Sequence, residues 1–437
     1  MGKYFGTDGI RGVAGEFLTT EFALKVGQTL KHSLNIDTIV IGKDTRQSSD
    51  MLAYSLASGA MSQGIDVLFA GTVSTPMIAH YSKVQSIVGI MITASHNPYQ
   101  DNGIKIFING QKPSQDQEST IENALDKDTP KSSKSIGTLT QTNEVERQYH
   151  TLYKNLGLHK INLSVGYDSA NGANYLIAKT ILDSICDESI QINNEPNGIN
   201  INVDSGSTHP KAIINLIKEK HLDIGFAFDG DGDRCLVVDH TGALIDGDLM
   251  IYAIAKYLKS QNRLTKDTVV LTKMSNPGII KAFGELGIKT IRTDVGDKYV
   301  SEAMRKNGYA LGGENSGHII MKDFLHTGDG LLVAVMLLNI LQDVKIPLRS
   351  FIEEVTMYPQ KMVNIENIDK TVLEKRPIKN AIKKAEKTLG SDSLLLVRPS
   401  GTEPVIRVTI SHQDETLLDR VMGDLVTSIQ QEGGQPS

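Results

Sequence analysis

The chain has 437 residues, with 45 Lys and Arg against 51 Asp and Glu, a formal net charge of −6, and 40% apolar and 22% charged residues. These proportions sit near the globular average and exclude a disordered or fibrous protein. The acidic balance argues against a nucleic-acid or membrane-surface binder, so an anionic ligand must meet a local cluster of Arg and Lys. At roughly one domain per 150 residues, the length suggests about three domains.

Two cysteines, Cys186 and Cys235, stand far apart in no metal-binding spacing, which fits a reducing compartment and no disulfide framework. The first residues lack the apolar stretch of a signal peptide, and the longest apolar run, 331–338 extended to 341, is too short to span a bilayer. A cytoplasmic protein is expected, with that run as a buried helix.

The chain opens on Gly6-Thr7-Asp8-Gly9-Ile10-Arg11-Gly12, where glycines let backbone approach a ligand closely; a flexible terminus is the plainer alternative. Residues 38–42 form a β-branched strand, followed by a polar loop at 43–50 and a helix-period stretch at 51–63. Ile90-Met91-Ile92 is a strand ending in Thr93-Ala94-Ser95-His96-Asn97-Pro98. A hydroxyl at the carboxyl end of a buried strand is where α/β sheets place ligand chemistry, although a polar turn closed by Asn-Pro would look similar. No G-x-S-x-G elbow surrounds Ser95, which weakens a serine-hydrolase reading.

The strand–loop–helix pattern returns at 163–184 and at 268–286, giving three α/β units of related build. Between them a strand at 222–227 runs into Phe228-Asp229-Gly230-Asp231-Gly232-Asp233-Arg234. Three carboxylates at alternate positions repel one another unless a cation neutralises them, and their glycine spacing lets one loop wrap a hard ion such as Mg²⁺. Leu311-Gly312-Gly313-Glu314-Asn315-Ser316-Gly317-His318 is a Gly-rich loop between strands, whose Glu and Ser suit sugar hydroxyls; a plain hairpin turn competes. From about Met362 the tail reads as a small α+β domain, with helices at 377–387 and 415–430 and strands at 394–397 and 405–411. Its strands are joined by Arg398-Pro399-Ser400-Gly401-Thr402-Glu403-Pro404, and Arg407 lies just beyond, a set suited to an oxyanion, though a tight turn with a surface Arg is the plainer alternative. The polar stretches 126–135 and 365–375 are expected to be linkers or loops.

GTDGIRG, TASHNP, DGDGDR, GGENSGH and RPSGTEP stand in the order found in the α-D-phosphohexomutases, and the chain resembles that family along nearly its whole length. ASHNP continuing to Asp101-Asn102-Gly103-Ile104-Lys105, and Val295-Gly296-Asp297-Lys298-Tyr299-Val300, are similar to the bacterial members that act on glucosamine phosphate. Thr93 stands where those members more usually carry Ser, and Asn315 where they carry Gln.

The resemblance implies three related α/β domains with mixed sheets plus a smaller α+β C-terminal domain around a central active-site cleft. The expected divisions are 1–148, 149–250, 251–362 and 363–437. It implies an isomerase that interconverts the 6- and 1-phosphates of glucosamine through a sugar 1,6-bisphosphate, which serves as intermediate and activator, and so feeds UDP-N-acetylglucosamine and cell-wall precursor synthesis. Ser95 would carry a phosphate, and one Mg²⁺ per subunit would sit between that phosphate and Asp229, Asp231 and Asp233. Arg11 and Lys105 would lie beside the phosphoserine and Arg234 beside the metal loop. Glu314 and Ser316, with His318 in the same loop, would bind the sugar. Arg398, Ser400, Gly401 and Thr402, with Arg407, would hold the non-reacting phosphate. Lys105 and His96 both stand as general-base candidates. The partner is a hexosamine phosphate, not nucleic acid or a membrane, and a homodimer is allowed for. Rival readings are a phosphomannomutase or phosphoglucomutase, a Mg²⁺-dependent phosphatase, and a non-catalytic sugar-phosphate binder.

Overall fold

The computed structural model describes residues 2–127, 133–156, 160–399 and 405–433. Within them the chain builds four sheets in sequence order. In the first, Thr38–Lys43 runs parallel to Asp66–Thr72 and Val88–Ile92. These strands are rich in β-branched residues and buried on both faces, as a parallel core flanked by helices requires. The helices Thr20–Leu34, Ser49–Ser62 and Thr75–Gln85 cover it. The second sheet has Ile224–Phe228 and Cys186–Ile192 parallel to Ile161–Asp168, and the third has Lys289–Thr293 and Leu311–Gly313 parallel to Thr268–Thr272. The tail is a three-stranded antiparallel sheet under the helices Arg376–Leu389 and Glu415–Gly433. Mixed sheets and a smaller α+β tail are therefore what the chain forms.

One topological feature recurs. Each parallel core ends in an antiparallel hairpin: Val88–Ile92 with Asp101–Ile108, Ile224–Phe228 with Cys235–Asp239, and Leu311–Gly313 with Ile319–Met321. In the tail, Leu394–Pro399 pairs with Val405–Ser411. The connections of these four hairpins are 93–100, 229–234, 314–318 and 400–404, each holding one of the polar motifs. The last connection, with Ser400, Gly401 and Thr402, lies outside the described residues.

The amino-terminal motif is not a loose end. Phe5–Gly6 and Gly9–Val13 form a hairpin whose second strand adds to Asp101–Ile108, with Arg11 opposite Gly103. The stretch 365–375 is only partly loop, since it holds the end of the strand Gln360–Glu366 and the 3-10 turn Lys370–Glu374. The elements Glu144–Asn155, Gly247–Ser260 and Gln360–Glu366 each run across one of the divisions expected from sequence.

One apolar core runs through the first three sheets, from Val40 to Ile352, and includes the buried helix Gly330–Val344. The tail packs around a separate core of its own. Cys186 and Cys235 are buried and unpaired. Among the described residues, no helix is long and apolar enough to cross a membrane.

Candidate active site

Ser95 sits at the end of its strand in a left-handed conformation (φ 54°) and is fully buried. A serine rarely adopts positive φ, and such strain collects at functional positions. The Ser95 amide donates to Thr93 Oγ1 (3.0 Å), and the Ser95 hydroxyl donates to Asp229 Oδ2 (2.6 Å). His96 Nδ1 is 3.3 Å from the same hydroxyl oxygen. Burial first, then Arg234 and Arg11, pushes the His96 imidazole down to about 3, so it is neutral.

Asp229, Asp231 and Asp233 bring one carboxylate oxygen each within 4.8 Å of one another. Asp229 accepts from the Arg234 amide (3.0 Å), and burial with the neighbouring Asp233 and Asp231 raises its carboxyl well above the usual range. Asp231 Oδ1 and Asp233 Oδ1 are buried without a hydrogen bond among the described residues. Buried carboxylate oxygens aimed at one point, and a carboxyl resisting ionisation, are what a divalent cation relieves, so the donor set fits Mg²⁺. The loop is held by its backbone: Asp231 O accepts from Thr75 N (2.9 Å), Gly230 O from Ala173 N (2.8 Å) and Gly232 O from Gly330 N (3.0 Å). Residue 230 must be glycine, because a Cβ there would sit 2.6 Å from Ser95 O.

Lys105 reaches into this cluster from its strand. Its Nζ lies 2.7 Å from Asp231 Oδ2, 3.0 Å from Asp233 Oδ2 and 2.8 Å from Asp8 Oδ2. Burial opposes its charge, but Asp231, Asp233 and Asp8 outweigh burial and raise the ammonium pKa well above the ordinary value. These carboxylates hold Lys105 as a cation. Arg11 pairs with Asp8 and donates to Asn97 Oδ1 (3.2 Å), while its Nε and that of Arg234 make no hydrogen bond among the described residues. The charges of both guanidinium groups and of the Lys105 ammonium bear on His96, the residue next to Ser95.

The third loop closes the cluster. Glu314 Oε1 accepts from Gly296 N (3.0 Å), and Ser316 Oγ is buried without a hydrogen bond among the described residues. His318 stands between Asp233 (3.5 Å from Nδ1) and Asp297 (3.3 Å from Nε2). Burial lowers its pKa, and Asp233 and Asp297 outweigh it, lifting the imidazole to about 9. Yet Nε2 accepts from Gly328 N (3.0 Å), which needs the lone pair of that nitrogen. The hydrogen bond is the firmer guide, and it leaves the proton on Nδ1, towards Asp233. At position 317, φ is +89° and a Cβ would meet Cys235 O at 2.0 Å, so only glycine lets this loop dock against the strand Cys235–Asp239.

In the tail, Arg398 stands opposite Arg407 in the ladder. Burial and the charge of Arg407 both lower the Arg398 pKa, with Glu314 partly opposing. Like charges directly opposite each other destabilise a sheet unless an anion sits between them.

The structure therefore gathers Ser95, His96, Arg11, Lys105, Asp229, Asp231, Asp233, Arg234, Glu314, Ser316 and His318 in one place. Sequence reasoning did not assign Asp8, which binds Lys105, Arg11 and Lys112, or Thr75, whose hydroxyl donates to Asp231. It also missed Asp297, which pairs with Lys112 and His318. Asp8 and Asp297 lay inside quoted motifs, a signal that could have raised them; Thr75 carried none.

Comparison with known proteins covers the same ground. Residues 2–132, 148–242 and 246–358 match phosphoglucomutase/phosphomannomutase alpha/beta/alpha domains I, II and III, and 362–428 match the C-terminal domain of that family. The chain is 43% identical to a phosphoglucosamine mutase of Bacillus subtilis, over 99% of this chain and 100% of the relative. It is 42% identical to that of Bacillus licheniformis over the same shares. Among solved structures, a phosphoglucomutase/phosphomannomutase family protein from Burkholderia thailandensis superposes with a TM-score of 0.82 at 24% identity, over 99% of this chain and 98% of that one. An N-acetylphosphoglucosamine mutase from Aspergillus fumigatus, in complex with GlcNAc-6P and magnesium, superposes with a TM-score of 0.71 at 15% identity, over 99% and 96%. Since these matches follow the order of the four sheets from end to end, the chain belongs to the phosphoglucomutase/phosphomannomutase family.

Proposed function

We propose that this chain is a phosphoglucosamine mutase, interconverting glucosamine 6-phosphate and glucosamine 1-phosphate through a phosphate carried on Ser95 and a 1,6-bisphosphate intermediate. The observation that carries the reading is the Ser95 hydroxyl, held at positive φ and 2.6 Å from Asp229 of the three-carboxylate loop, with the charges of Arg234, Arg11 and Lys105 bearing on the adjacent His96. Similarity to bacterial phosphoglucosamine mutases over the full length supports the substrate class.

Phosphoryl transfer asks a protein for in-line positioning and charge neutralisation, with little covalent work by side chains. Asp229, Asp231 and Asp233 would hold Mg²⁺, which when bound supplies positive charge against a phosphoryl oxygen. Arg11, Lys105 and Arg234 neutralise the remaining oxygens of the group in transfer. Glu314 and Ser316 orient the sugar by its hydroxyls, with His318 bracing that loop against Asp233. Arg398 and Arg407, with Ser400, Gly401 and Thr402 of their hairpin, hold the phosphate that is not reacting. Ser95 gives its phosphate to one sugar hydroxyl, the bisphosphate turns over, and the other phosphate returns to Ser95, so one set of residues serves both halves. A phosphatase has no use for the paired arginines at the far end. The reaction needs no partner beyond the hexosamine phosphate, and a cytoplasmic location and a homodimer are part of the same reading.

The test is isomerisation against phosphate release on glucosamine 6-phosphate, with Ser95→Ala beside the wild type. Isomerisation without phosphate release is expected, along with intact protein heavier by one phosphate. Ser95→Ala should lose both the added mass and turnover; a fully active variant refutes the reading. Phosphate release alone would make the chain a phosphatase. Equal or better kcat/KM on mannose or glucose 1-phosphate would move the substrate to a neutral hexose.

A further inference from the structure

The strain at Ser95 needs something to hold it, and within the loop Ser95 itself is held only by its amide bond to Thr93 Oγ1. The backbone carbonyls of the loop turn inward, onto one wholly buried guanidinium from another part of the sheet. Arg46 Nη2 donates to Ser95 O (2.8 Å) and Asn97 O (2.9 Å), and Nη1 to Asp101 O (3.1 Å) and Pro98 O. Arg46 Nε is taken by Asp44 Oδ2 (2.8 Å). That carboxylate also accepts from Thr93 Oγ1 (2.7 Å) and Ser49 Oγ (2.7 Å), and Thr93 Oγ1 in turn accepts from the Ser95 amide. A second hold comes from the neighbouring unit, where Asn202 Nδ2 donates to Ser95 O (2.9 Å) and Asn97 O (3.2 Å).

The geometry has a direct consequence. With the Ser95 carbonyl drawn back onto Arg46 and Asn202, positive φ sends the hydroxyl the other way, onto Asp229. A strained conformation persists only where surrounding structure over-determines it, and here both sides of the loop are fastened. Lysine could not replace this arrangement: it offers one point charge, whereas the planar fork serves four carbonyls and a carboxylate at once.

We infer that Arg46, seated on Asp44, is a positioning residue for phosphoryl transfer, holding the Ser95 loop in its reactive conformation, with Asn202 as the second hold. The inference rests on Ser95 being the phosphate carrier. Arg46 meets the loop through backbone carbonyls and makes no hydrogen bond to Glu314, Ser316 or Arg398 among the described residues, so its loss should act on kcat and spare KM.

The experiment compares Arg46→Lys, Asn202→Ala and Ser95→Ala with wild type. It reads kcat and KM for glucosamine 1-phosphate, thermal melting, and the rate at which glucosamine 1,6-bisphosphate adds phosphate mass to the protein. A misplacement of about 1 Å can cost on the order of 10²-fold in rate, so Arg46→Lys should lose roughly that in kcat with KM within about twofold. Asn202→Ala should lose about tenfold in kcat, and both should acquire phosphate more slowly. Should Arg46→Lys not fold, Asn202→Ala decides on the same readings. A folded variant with wild-type kcat, or one that raises KM alone, overturns the inference. Ser95→Ala separates the two layers: if it stays active, the phosphoserine reading fails; if it is dead while the other variants turn over normally, only the positioning role fails.

Discussion

Lys105 provides the sharpest test of the site's electrostatics. Its ammonium stands 2.7, 3.0 and 2.8 Å from Asp231, Asp233 and Asp8. At an effective dielectric of about 20, each such contact is worth about 6 kcal/mol of attraction. The loop carboxylates lie within 4.8 Å of one another, so each pair repels by at least about 3.5 kcal/mol on the same scale. Lys105 thus offsets the repulsion within the cluster. Lys105→Met keeps most of the volume and removes the charge. Desolvation consumes much of the gross attraction, and breaking a buried pair typically costs about 3–5 kcal/mol, or roughly 5 °C of melting temperature for a cooperative unit of this size. The sign with pH follows from the carboxyls. Lys105 is the chief charge holding the Asp233 carboxyl down against burial, so without it burial lifts that carboxyl, the folded state binds more protons, and the deficit grows as pH rises from 5 to 8. Mg²⁺ should then stabilise the variant more than the wild type, because it supplies the missing charge. Melting curves with chelator and with Mg²⁺, at both pH values, make the measurement. A chelated variant melting within about 2 °C of wild type, or a Mg²⁺ shift no larger than the wild type's, would show that Lys105 is not the counter-ion.

Arg398→Lys keeps charge but loses the fork, so KM for the sugar phosphate should rise on the order of tenfold, with kcat less affected; an unchanged KM would reduce that hairpin to a turn. Gly317→Ala places a Cβ 2.0 Å from Cys235 O at φ +89°, and urea unfolding should show a loss of at least about 2 kcal/mol; equal midpoints would mean the loop docks elsewhere. Asp248 is buried, and burial with neighbouring Asp246 pushes its carboxyl up to about 7. Its ionised form is penalised above that pH and its neutral form is not below about 4, so Asp248→Asn should be more stable than wild type at pH 8, by up to about 4 kcal/mol. That gain should vanish near pH 4, and a gain independent of pH would refute the assignment.

Much of the architecture was legible because it rests on local pattern. The β-branched runs at 38–42, 163–167 and 268–271 became Thr38–Lys43, Ile161–Asp168 and Thr268–Thr272, and the apolar run at 331–341 became the buried helix Gly330–Val344. The site loops stood out because glycines alternating with acids, or a hydroxyl closing a strand, are costly to keep without a ligand. What stayed hidden was set by tertiary contact. Arg46 looks like one more arginine in a polar loop, and the carbonyls it holds lie 49 to 55 positions away. Asn202 meets Ser95 across 107 positions and Thr75 meets Asp231 across 156. No periodicity or spacing reports such pairs. Lys105 was visible as a residue, but the three carboxylates gathered around its ammonium were not.

The division of cores bears on how the site tolerates a substrate that must react at either end. The loops carrying Ser95, Asp229, Asp231, Asp233 and Glu314 spring from sheets that share one continuous apolar core, and their backbones are bonded to one another through Thr75, Ala173, Gly330 and Gly317. Interiors packed at that density transmit strain and permit little drift, which suits transfer of a phosphoryl group over a fixed in-line distance. The paired Arg398 and Arg407 sit on a sheet with a core of its own. Their position relative to Ser95 is therefore not set by the shared core. In the proposed mechanism glucosamine 1-phosphate and 6-phosphate present their non-reacting phosphate at different reach and angle, and arginines mounted on a separately packed unit suit both while the reacting end stays rigid.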